Sequence, residues 1–542
     1  MPTVAEFLMQ RMEDAGVKHV FGVPGDYVLG FYKKLNDNPK IEVVGCTDEN
    51  HAGFAANAYS RINGVGAICV TYNVGALKIA NSVACAYAER CPVVVISGSP
   101  GIKERKEGML LHHMVRSFEC QREVFENLTC ASIVLDDPST AGYKIDEAFE
   151  AMQHHKQPIY IELPRDVANK SISYDVYRQG TPTSPVTDEQ NLIESLEEVR
   201  EWIANARKPV ILAGVQLARH SLGSLLMKWA EKSNIPFATT LLAKSLINEQ
   251  HPLHLGVYAG VSSKPEVKEA VEESDCLLMF GVLLTDMTTA FMPVAFKKRN
   301  TVDCAIEGLK VKNHAYPDVQ FVDFCNNLFK SDPIPKESFF FSQKKEKTRF
   351  EPVEGKKITA SRFFNKIDSI LNETHSVIAD VGDCLFGAAD LTTYHESAFI
   401  ASAFYTSMGN SIPGALGMAL AQPNKRPIVL VGDGAFQMCF GELSTIVRRG
   451  FNPIVFVLNN KGYTTERFLL DGSFNDISNW EYHKIVEVLG GFGDKVDTEE
   501  KLEISVANAL KSDKMYVINV EIDKLDTSDA LKRMTSGLAK KV

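Results

Sequence analysis

The feature of this sequence that most constrains its fold is a repeated alternation between short β-branched runs and amphipathic stretches. A short continuous apolar run is typical of a strand buried on both faces, and an amphipathic stretch is typical of a helix packed on a sheet. Because parallel strands need a long crossover between them, the alternation predicts βαβ units around parallel sheets. The runs lie at 42–44, 67–71, 93–96, 159–163, 210–213, 237–239, 276–280, 377–381, 428–431, 454–458 and 516–521.

Two polar segments interrupt this alternation and predict the domain organisation. A chain of 542 residues is longer than one hydrophobic core usually serves. The alternation stops at about 169–190 and again at about 330–357, where prolines and a lysine run at 344–347 are typical of a linker. We therefore expect three α/β domains, each a doubly wound parallel sheet, at 1–175, 190–335 and 355–542.

Charge, cysteine usage and hydropathy exclude several functional classes. The formal net charge of −10 argues against a nucleic-acid-binding surface. No apolar stretch approaches the ~20 residues that span a bilayer. The N-terminus, where Thr3 and Glu6 have capping-box spacing, predicts a helix rather than a signal peptide. The 11 cysteines are scattered without metal-binding spacing, as in a reducing compartment. We expect a soluble cytoplasmic protein that binds neither nucleic acid nor membrane.

The strongest chemical signal is a pair of motifs that follow two predicted strands. Gly432-Asp433-Gly434 ends one strand, and after 24 further residues Asn459-Asn460 ends the next. Glycines let the backbone approach an anion closely, and carboxylate and amide oxygens are ligands that Mg²⁺ prefers. Both motifs lie where open α/β sheets bind ligands, at the carboxyl ends of strands. A lone Gly-Asp-Gly is common in turns, but the pair predicts a metal and diphosphate site with Asp433 and Asn460 as ligands.

The paired motif closely resembles the thiamine-diphosphate motif, and nearly the whole chain resembles the pyruvate decarboxylase family of thiamine-diphosphate-dependent 2-oxo acid decarboxylases. The histidine pair at 112–113 resembles the one that distinguishes this subgroup from acetolactate synthases. The resemblance implies a pyrimidine-binding first domain, an architectural middle domain without FAD, and a diphosphate-binding third domain. The other similar segments are GVPGDY at 22–27, DEN at 48–50, TYNVGAL at 71–77, AYAE at 86–89, VGD at 381–383, SMG at 407–409 and Glu466.

The resemblance implies roles for individual residues. Glu49 would activate the cofactor, Met408 would wedge it into a bent shape, and the Gly462 carbonyl would join Asp433 and Asn460 as a third Mg²⁺ ligand. The implied catalytic residues are Asp26, Glu49, His112, His113 and Glu466. The implied cofactor-binding residues are Glu49, Thr71, Gly382, Asp383, Thr406, Met408, Gly432, Asp433, Gly434, Ala435, Asn460, Gly462 and Tyr463.

The expected reaction converts a 2-oxo acid to an aldehyde and CO₂, and its chemistry explains why these residue types are needed. Glu49, hydrogen-bonded to the pyrimidine ring, would favour the tautomer that removes the weakly acidic thiazolium proton. The thiazolium would accept the electrons released with CO₂ and leave an enamine that must be protonated. The other catalytic candidates, Asp26, the histidine pair and Glu466, supply proton donors and acceptors, and the pattern does not assign a proton to each.

Each of these residues also has an ordinary structural explanation. Glu49 alone is more often a surface carboxylate, although its place before the small-residue stretch at 52–58 favours the functional interpretation. Adjacent histidines are usually incidental, Asp26 could end a turn, and Glu466 could interact with a helix dipole. Their joint presence in the family's order favours catalysis. Gly490-Gly491-Phe492-Gly493 lacks the complete dinucleotide-binding pattern and predicts a turn.

Substrate preference is predicted from five positions that match the family's substrate pocket. Pyruvate-selective members tend to place aromatic residues there, whereas none is aromatic here. We therefore expect a preference for longer aliphatic, branched or aromatic 2-oxo acids over pyruvate. The positions are Met287, Val381, Leu385, Thr465 and Leu469. In the middle domain, Gln216-Leu217-Ala218 replaces the cysteine that can precede Arg219-His220 in substrate-activated members, which puts such activation in doubt.

The expected assembly is a homodimer or homotetramer with active sites at the subunit interface. The resemblance implies this arrangement because the acid–base residues lie in the first domain and the metal motif in the third. The C-terminal stretch 527–542 predicts a helix that caps the site. Two other functions stay open: a carboligase that forms acetolactate or acyloin products, and a non-catalytic regulator that binds thiamine diphosphate or a nucleotide.

Overall fold

The computed structural model describes residues 1–106, 108–172, 185–290, 296–337, 347 and 349–539, and they form three mostly parallel sheets with helices in the connections. The predicted fold class, three α/β domains built on parallel sheets, is confirmed. Residues 173–175 of the first predicted domain, residues 344–346 of the lysine run and residues 540–542 lie outside the described part. The predicted domain boundaries stay predictions.

The first sheet has six parallel strands in the order β2-β1-β3-β4-β6-β5. Its first helix begins with the predicted capping box: the Thr3 backbone N–H donates to the Glu6 carboxylate, and the Glu6 backbone N–H donates to the Thr3 hydroxyl. The strands are β1 (His19–Gly22), β2 (Glu42–Gly45), β3 (Gly66–Val70), β4 (Val93–Ser99), β5 (Ala131–Val134) and β6 (Ile159–Pro164); the helices are α1 (Val4–Asp14), α2 (Leu29–Asn36), α3 (Glu49–Asn63), α4 (Ala80–Ala88), α5 (Cys120–Glu126) and α6 (Pro138–His155).

The second sheet is parallel in five of its seven strands and ends in two antiparallel strands, in the order β13-β12-β11-β10-β7-β8-β9. Because only two residues join each of the last strands to the one before, no crossover is possible there and the chain must turn back. The strands are β7 (Pro209–Ala213), β8 (Phe237–Thr240), β9 (His254–Tyr258), β10 (Cys276–Phe280), β11 (Thr301–Ala305), β12 (Gly308–Val311) and β13 (His314–Tyr316); the helices are α7 (Glu189–Asn205), α8 (Val215–Arg219), α9 (Gly223–Ser233), α10 (Pro265–Glu272), α11 (Asp286–Thr289) and α12 (Phe321–Lys330).

The third sheet repeats the topology of the first, with the order β15-β14-β16-β17-β19-β18 and parallel pairing throughout. The domains that contain the first and third sheets therefore share a fold without visible sequence similarity. The strands are β14 (His375–Ala379), β15 (Phe399–Ala401), β16 (Arg426–Gly432), β17 (Ile454–Asn459), β18 (Phe492–Val496) and β19 (Tyr516–Glu521). The helices are α13 (Ala360–Ile370), α14 (Asp383–Ala389), α15 (Ser411–Ala421), α16 (Asp433–Cys439), α17 (Leu443–Arg448), α18 (Thr464–Leu469), α19 (Tyr482–Glu487), α20 (Glu499–Lys511) and α21 (Asp529–Ala539).

One local prediction is wrong. The segment at 490–493 is not all turn, because Phe492 and Gly493 begin β18. This strand lies at the sheet edge, pairs only with β19 and carries no β-branched run, so its sequence lacks the pattern of a buried strand. Among the described residues, no helix is both long and apolar enough to cross a membrane.

The chain divides by contacts into two compact units that do not follow its order. The first contains the described parts of 1–184, 405–423 and 438–451, and the second contains those of 185–404, 424–437 and 452–542. Helices α15 and α17 thus belong to the first unit although they follow the second sheet in the chain. Within the first unit, α3 and α15 touch at backbone level: a Cβ on Gly417 would lie 2.1 Å from the Ala55 carbonyl oxygen. Small residues on both helices permit this approach.

Replacing Gly417 by Ala should destabilise the first unit. The added methyl group would meet backbone rather than a flexible side chain, so the helices must separate at a cost of about 2–3 kcal/mol. Denaturant unfolding, followed by circular dichroism, measures the loss. Gly30→Ala is the matched control, because a Cβ there meets no atom within 4 Å and should change stability by less than about 1 kcal/mol. Equal effects of the two substitutions would contradict the backbone contact.

Candidate active site

The Asp433 carboxylate joins the two loops that follow neighbouring strands in the second unit. Parallel pairing of β16 with β17 places both loops at one sheet edge. Asp433 Oδ1 accepts a hydrogen bond from the Gly434 backbone N–H at 2.8 Å, and Oδ2 accepts from those of Lys461 at 2.6 Å and Gly462 at 3.2 Å. Burial raises the pKa of Asp433 to about 6, although the backbone donors oppose this shift. A buried anion in this position favours a bound cation.

The residues around Asp433 present oxygen atoms that lack partners. Asn460 Oδ1 is buried and accepts no hydrogen bond from the described residues. Gly462 has φ +146°, and a Cβ there would lie 2.0 Å from the Asn475 carbonyl oxygen, so only glycine fits this turn. A Cβ on Gly434 would likewise lie 2.5 Å from the Tyr463 ring. The site therefore combines hard oxygen donors with a backbone that no side chain obstructs, as a Mg²⁺-bound diphosphate requires.

Arg467, which the sequence patterns did not single out, fixes the loop that carries these donors. Its guanidinium donates to the carbonyl oxygens of Lys461 at 3.4 Å and Asn475 at 3.3 Å. It also pairs with the carboxylates of Asp476 at 2.6 Å and Asp471 at 2.9 Å, while its own side chain is only 2% exposed. The sequence does contain a signal for this role: Arg467 lies shortly after the Asn459-Asn460 motif, and Asp471 and Asp476 follow it within nine residues.

Gly382 and Asp383 begin α14 in the same unit. Gly382 has φ +95°, which favours glycine, and Asp383 accepts hydrogen bonds from the backbone N–H of Ser528 at 2.8 Å and from its hydroxyl. Burial raises the pKa of Asp383 to about 6, and the Ser528 donors oppose the shift. The Asp383 carboxylate therefore anchors the segment that enters α21. Ala435 is buried in α16, and Glu466 is exposed in the first turn of α18.

Three predicted proton-transfer residues lie together in the first unit. Asp26 Oδ2 is 2.7 Å from His112 Nε2, and Asp26 Oδ1 is 4.0 Å from His113 Nε2. Burial opposes ionisation of Asp26, but the hydrogen bond and charge of His112 outweigh it and lower the pKa of Asp26. The Tyr27 ring stacks on His112 at 4.7 Å between centroids. Tertiary structure thus joins a loop after β1 to a histidine pair 86 residues further along the chain.

Glu49 is the first residue of α3, where a carboxylate is favoured by the helix dipole. Its Oε2 atom is 2.7 Å from Nζ of Lys78, which also contacts Asp48. Lys78 is a second residue that the sequence patterns did not single out. Nearby in the chain, after β3, the Thr71 hydroxyl is buried and has no hydrogen-bond partner among the described residues. Such an orphaned hydroxyl is expected where a polar ligand binds.

Thr406 and Met408 lie on the loop before α15. Thr406 has φ +52°, an uncommon conformation for a β-branched residue. Asn81 donates a hydrogen bond of 2.8 Å to the hydroxyl of the intervening Ser407, and Asn410 donates one of 2.6 Å to its carbonyl oxygen. The loop conformation is therefore imposed by specific contacts. Met408 is partly exposed rather than core filler.

The five predicted substrate-pocket residues occupy different environments. Leu385 is 1% exposed within the core of the third sheet, whereas Leu469 is 73% exposed. Val381 and Thr465 are intermediate. Met287 lines a small cavity, partly open to solvent, whose wall includes Phe386 and Met534. An aromatic residue, Phe386, which the sequence patterns did not single out, therefore lines the same cavity as Met287.

Comparison with known proteins shows the family of this chain. The family "thiamine pyrophosphate enzyme, N-terminal TPP binding domain" matches residues 2–119, the corresponding central domain matches 196–330 and the C-terminal TPP binding domain matches 380–520. A pyruvate decarboxylase of Aspergillus fumigatus is 32% identical over 90% of this chain and 87% of its own length. The chain belongs to the thiamine-diphosphate-dependent 2-oxo acid decarboxylase family.

Two further members of the decarboxylase family align over almost the full chain. The indole-3-pyruvate decarboxylase of Azospirillum brasilense is 30% identical over 98% of both chains. Pyruvate decarboxylase 3 of Arabidopsis thaliana is 31% identical over 98% of this chain and 92% of its own length. The relatives therefore differ in the substrates that their names give, at similar identity to this chain.

In this decarboxylase, Arg467→Lys should weaken thiamine diphosphate binding. Lysine cannot hold two carbonyls and two carboxylates at once, so the Gly462 loop would lose its fixed geometry, and loss of such outer contacts typically weakens metal binding about 10- to 100-fold. Calorimetric titration of the cofactor at fixed Mg²⁺ measures the change. Arg362→Lys is the control, because Arg362 pairs with Glu499 instead. Unchanged binding by the Arg467 variant would show that the clamp does not position the loop.

Proposed function

We propose that this chain binds thiamine diphosphate with Mg²⁺ and converts a 2-oxo acid to an aldehyde and CO₂. The observation that carries the proposal is the 2.7 Å contact between Asp26 and His112, with His113 beside it. A protein that only bound the cofactor would need no such proton-transfer cluster. The cluster also favours protonation over trapping by a second carbonyl compound, so it weighs against both the regulator and the carboligase.

The oxygen donors of the second unit support the cofactor and metal assignment. Asp433, Asn460 and the Gly462 carbonyl would hold Mg²⁺ and through it the diphosphate, since a bound cation would partner the orphaned Asn460 oxygen and stabilise the ionised form of buried Asp433. Thiamine diphosphate, when bound, supplies the sink for the electron pair released with CO₂. The glycines at 432, 434 and 462 keep the backbone accessible to the anion.

The residues of the first unit would manage protons. The Glu49 carboxylate would share a proton with the pyrimidine ring of the cofactor, and Lys78 balances the negative charge of Glu49 and Asp48. Asp26 Oδ2 and His112 Nε2 hold a proton between them and would deliver it to the product carbon. Glu466 would serve as a further donor or acceptor. Each such transfer typically contributes about 10² to 10⁴ in rate.

We further propose an assembly and a location for the enzyme. A homodimer or homotetramer would bring the proton-transfer residues of one subunit to the diphosphate loops of another. A reducing cytoplasm suits a chain whose 11 cysteines are mostly buried. Size-exclusion chromatography with activity assays of each fraction tests the assembly, and an active monomer would contradict it.

Glu49→Gln should lower kcat for aldehyde release by at least about 10²-fold, because the amide cannot share a proton with the pyrimidine as a carboxylate does. The assay measures aldehyde and CO₂ with thiamine diphosphate and Mg²⁺ present or withheld. Glu269→Gln, a change at an exposed position of α10, is the control and should be silent. Acyloin in place of aldehyde would favour the carboligase, and bound cofactor without any product would favour the regulator.

Substrates longer than pyruvate should give the highest kcat/KM. None of the five pocket positions is aromatic, and Leu or Thr leaves apolar volume that a larger side chain can fill. Each buried methylene is worth about 0.8 kcal/mol, or roughly fourfold in kcat/KM. The measurement compares pyruvate with straight-chain, branched and aromatic 2-oxo acids under identical conditions. A maximum at pyruvate would refute this preference and leave the decarboxylase assignment intact.

A further inference from the structure

The cluster of Asp26, His112 and His113 has a second chemical property. One ligating atom from each side chain lies within 4.8 Å of the other two, and among the described residues this is the group of three that meets that condition. The cluster offers two imidazole nitrogens and one carboxylate oxygen. Divalent transition metals prefer imidazole more strongly than Mg²⁺ does, so this set differs in kind from the oxygen donors around Asp433.

The distances suit a small metal ion. Zinc binds histidine nitrogen and carboxylate oxygen at about 2.0–2.2 Å, so ligand atoms in a tetrahedral site lie about 3.4 Å apart. Asp26 Oδ2 lies 2.7 Å from His112 Nε2 and Asp26 Oδ1 lies 4.0 Å from His113 Nε2, on either side of that value. Because one ligating atom from each side chain already lies within 4.8 Å of the other two, small side-chain rotations would bring one carboxylate oxygen and two imidazole nitrogens to ligand spacing.

The surroundings hold the two imidazoles in place. A metal-bound histidine usually directs its other ring nitrogen to a polar group, and Nδ1 of His112 lies 3.3 Å from the Tyr27 hydroxyl. The backbone of His113 has φ +67°, a conformation that costs free energy for a residue with a side chain. The Asn73 side chain holds this backbone by a 2.7 Å hydrogen bond to the His113 carbonyl oxygen. The Asp26, His112 and His113 side chains are 44%, 56% and 33% exposed, so an ion can enter and keep water as a fourth ligand.

We propose that Asp26, His112 and His113 form a binding site for a divalent transition-metal cation, of which Zn²⁺ is the test case, and that its occupancy blocks decarboxylation. Binding replaces the proton between Asp26 and His112 by the metal ion and releases that proton to solvent, with no change of oxidation state. The blocking effect rests on the proposed function, because it assumes that these groups transfer protons to the product. The binding site itself does not depend on it.

Calorimetric titration of Zn²⁺ into the cofactor-free full chain tests the site directly. The wild type should bind one tight equivalent, and His113→Gln and Asp26→Asn should each weaken it at least about 10-fold, because two ligands hold the ion less tightly than three. The control replaces His154 and His155 with Asn, since they form another adjacent histidine pair with ring centroids 4.6 Å apart. Equal Zn²⁺ binding by wild type and the His113 variant, or loss only in the control, would overturn the proposal.

Activity assays separate this proposal from the function on which it partly rests. With Mg²⁺ and cofactor in excess, Zn²⁺ should inhibit aldehyde release, and stoichiometric chelator should restore it. Inhibition that persists unchanged in the residual activity of His113→Gln would place the effect elsewhere and overturn the blocking step. A different result would separate the two proposals. If the protein releases no aldehyde from any acid, yet binds Zn²⁺ and loses that binding in the His113 and Asp26 variants, the metal site is supported and the proposed function is refuted.

Discussion

The hydrogen bonds of the Asp433 carboxylate are the constraint on which the proposed diphosphate site depends. One side chain accepts the backbone N–H groups of Gly434, Lys461 and Gly462, so the loops after β16 and β17 cannot move independently. Between these contacts, the buried Asn460 Oδ1 has no hydrogen-bond partner within the described part of the chain. Burial of Asp433 costs free energy that a bound cation would offset. Arg467 completes the arrangement because it fixes the far side of the loop by two carbonyl oxygens.

The two units offer different sets of candidate ligand atoms. The second unit offers carboxylate, amide and carbonyl oxygens, which suit a hard cation, whereas the first offers imidazoles beside a carboxylate. The oxygen donors of the second unit are held largely by backbone hydrogen bonds. The Asp26 cluster of the first unit is held by the Tyr27 ring, which stacks on His112, and by the Asn73 side chain, which donates to the His113 carbonyl oxygen. The Asp26 cluster is partly exposed while Asp433 is buried, and partial exposure is what the proposed proton-transfer role of the cluster requires.

Much of the fold could be predicted because its central strands carry the expected pattern. The predicted runs at 276–280 and 516–521 match β10 and β19 residue for residue, since both strands are buried almost throughout. The pattern missed five strands at sheet edges, β5, β9, β13, β15 and β18, which have a partner on one side only in the described sheets, and three strands inside the sheets, β1, β11 and β12. The repeated strand order of the first and third sheets was not visible in the sequence, because topology depends on pairing rather than on residue identity.

The sequence by itself determined which residue types could do chemistry and in what order they occur. The glycine, aspartate and asparagine motifs predict a metal and diphosphate site because they combine hard oxygen donors with an accessible backbone. Only the tertiary structure decided which side chains meet. It placed His112 within hydrogen-bond distance of Asp26, paired Lys78 with Glu49, and gave the Asp383 carboxylate a hydrogen bond from the Ser528 backbone N–H. It also set the exposure of the five predicted pocket residues, from the buried Leu385 to the largely exposed Leu469. The physical reason is that spacing along the chain constrains neighbours within one element, whereas contacts between elements depend on how the sheets and helices pack.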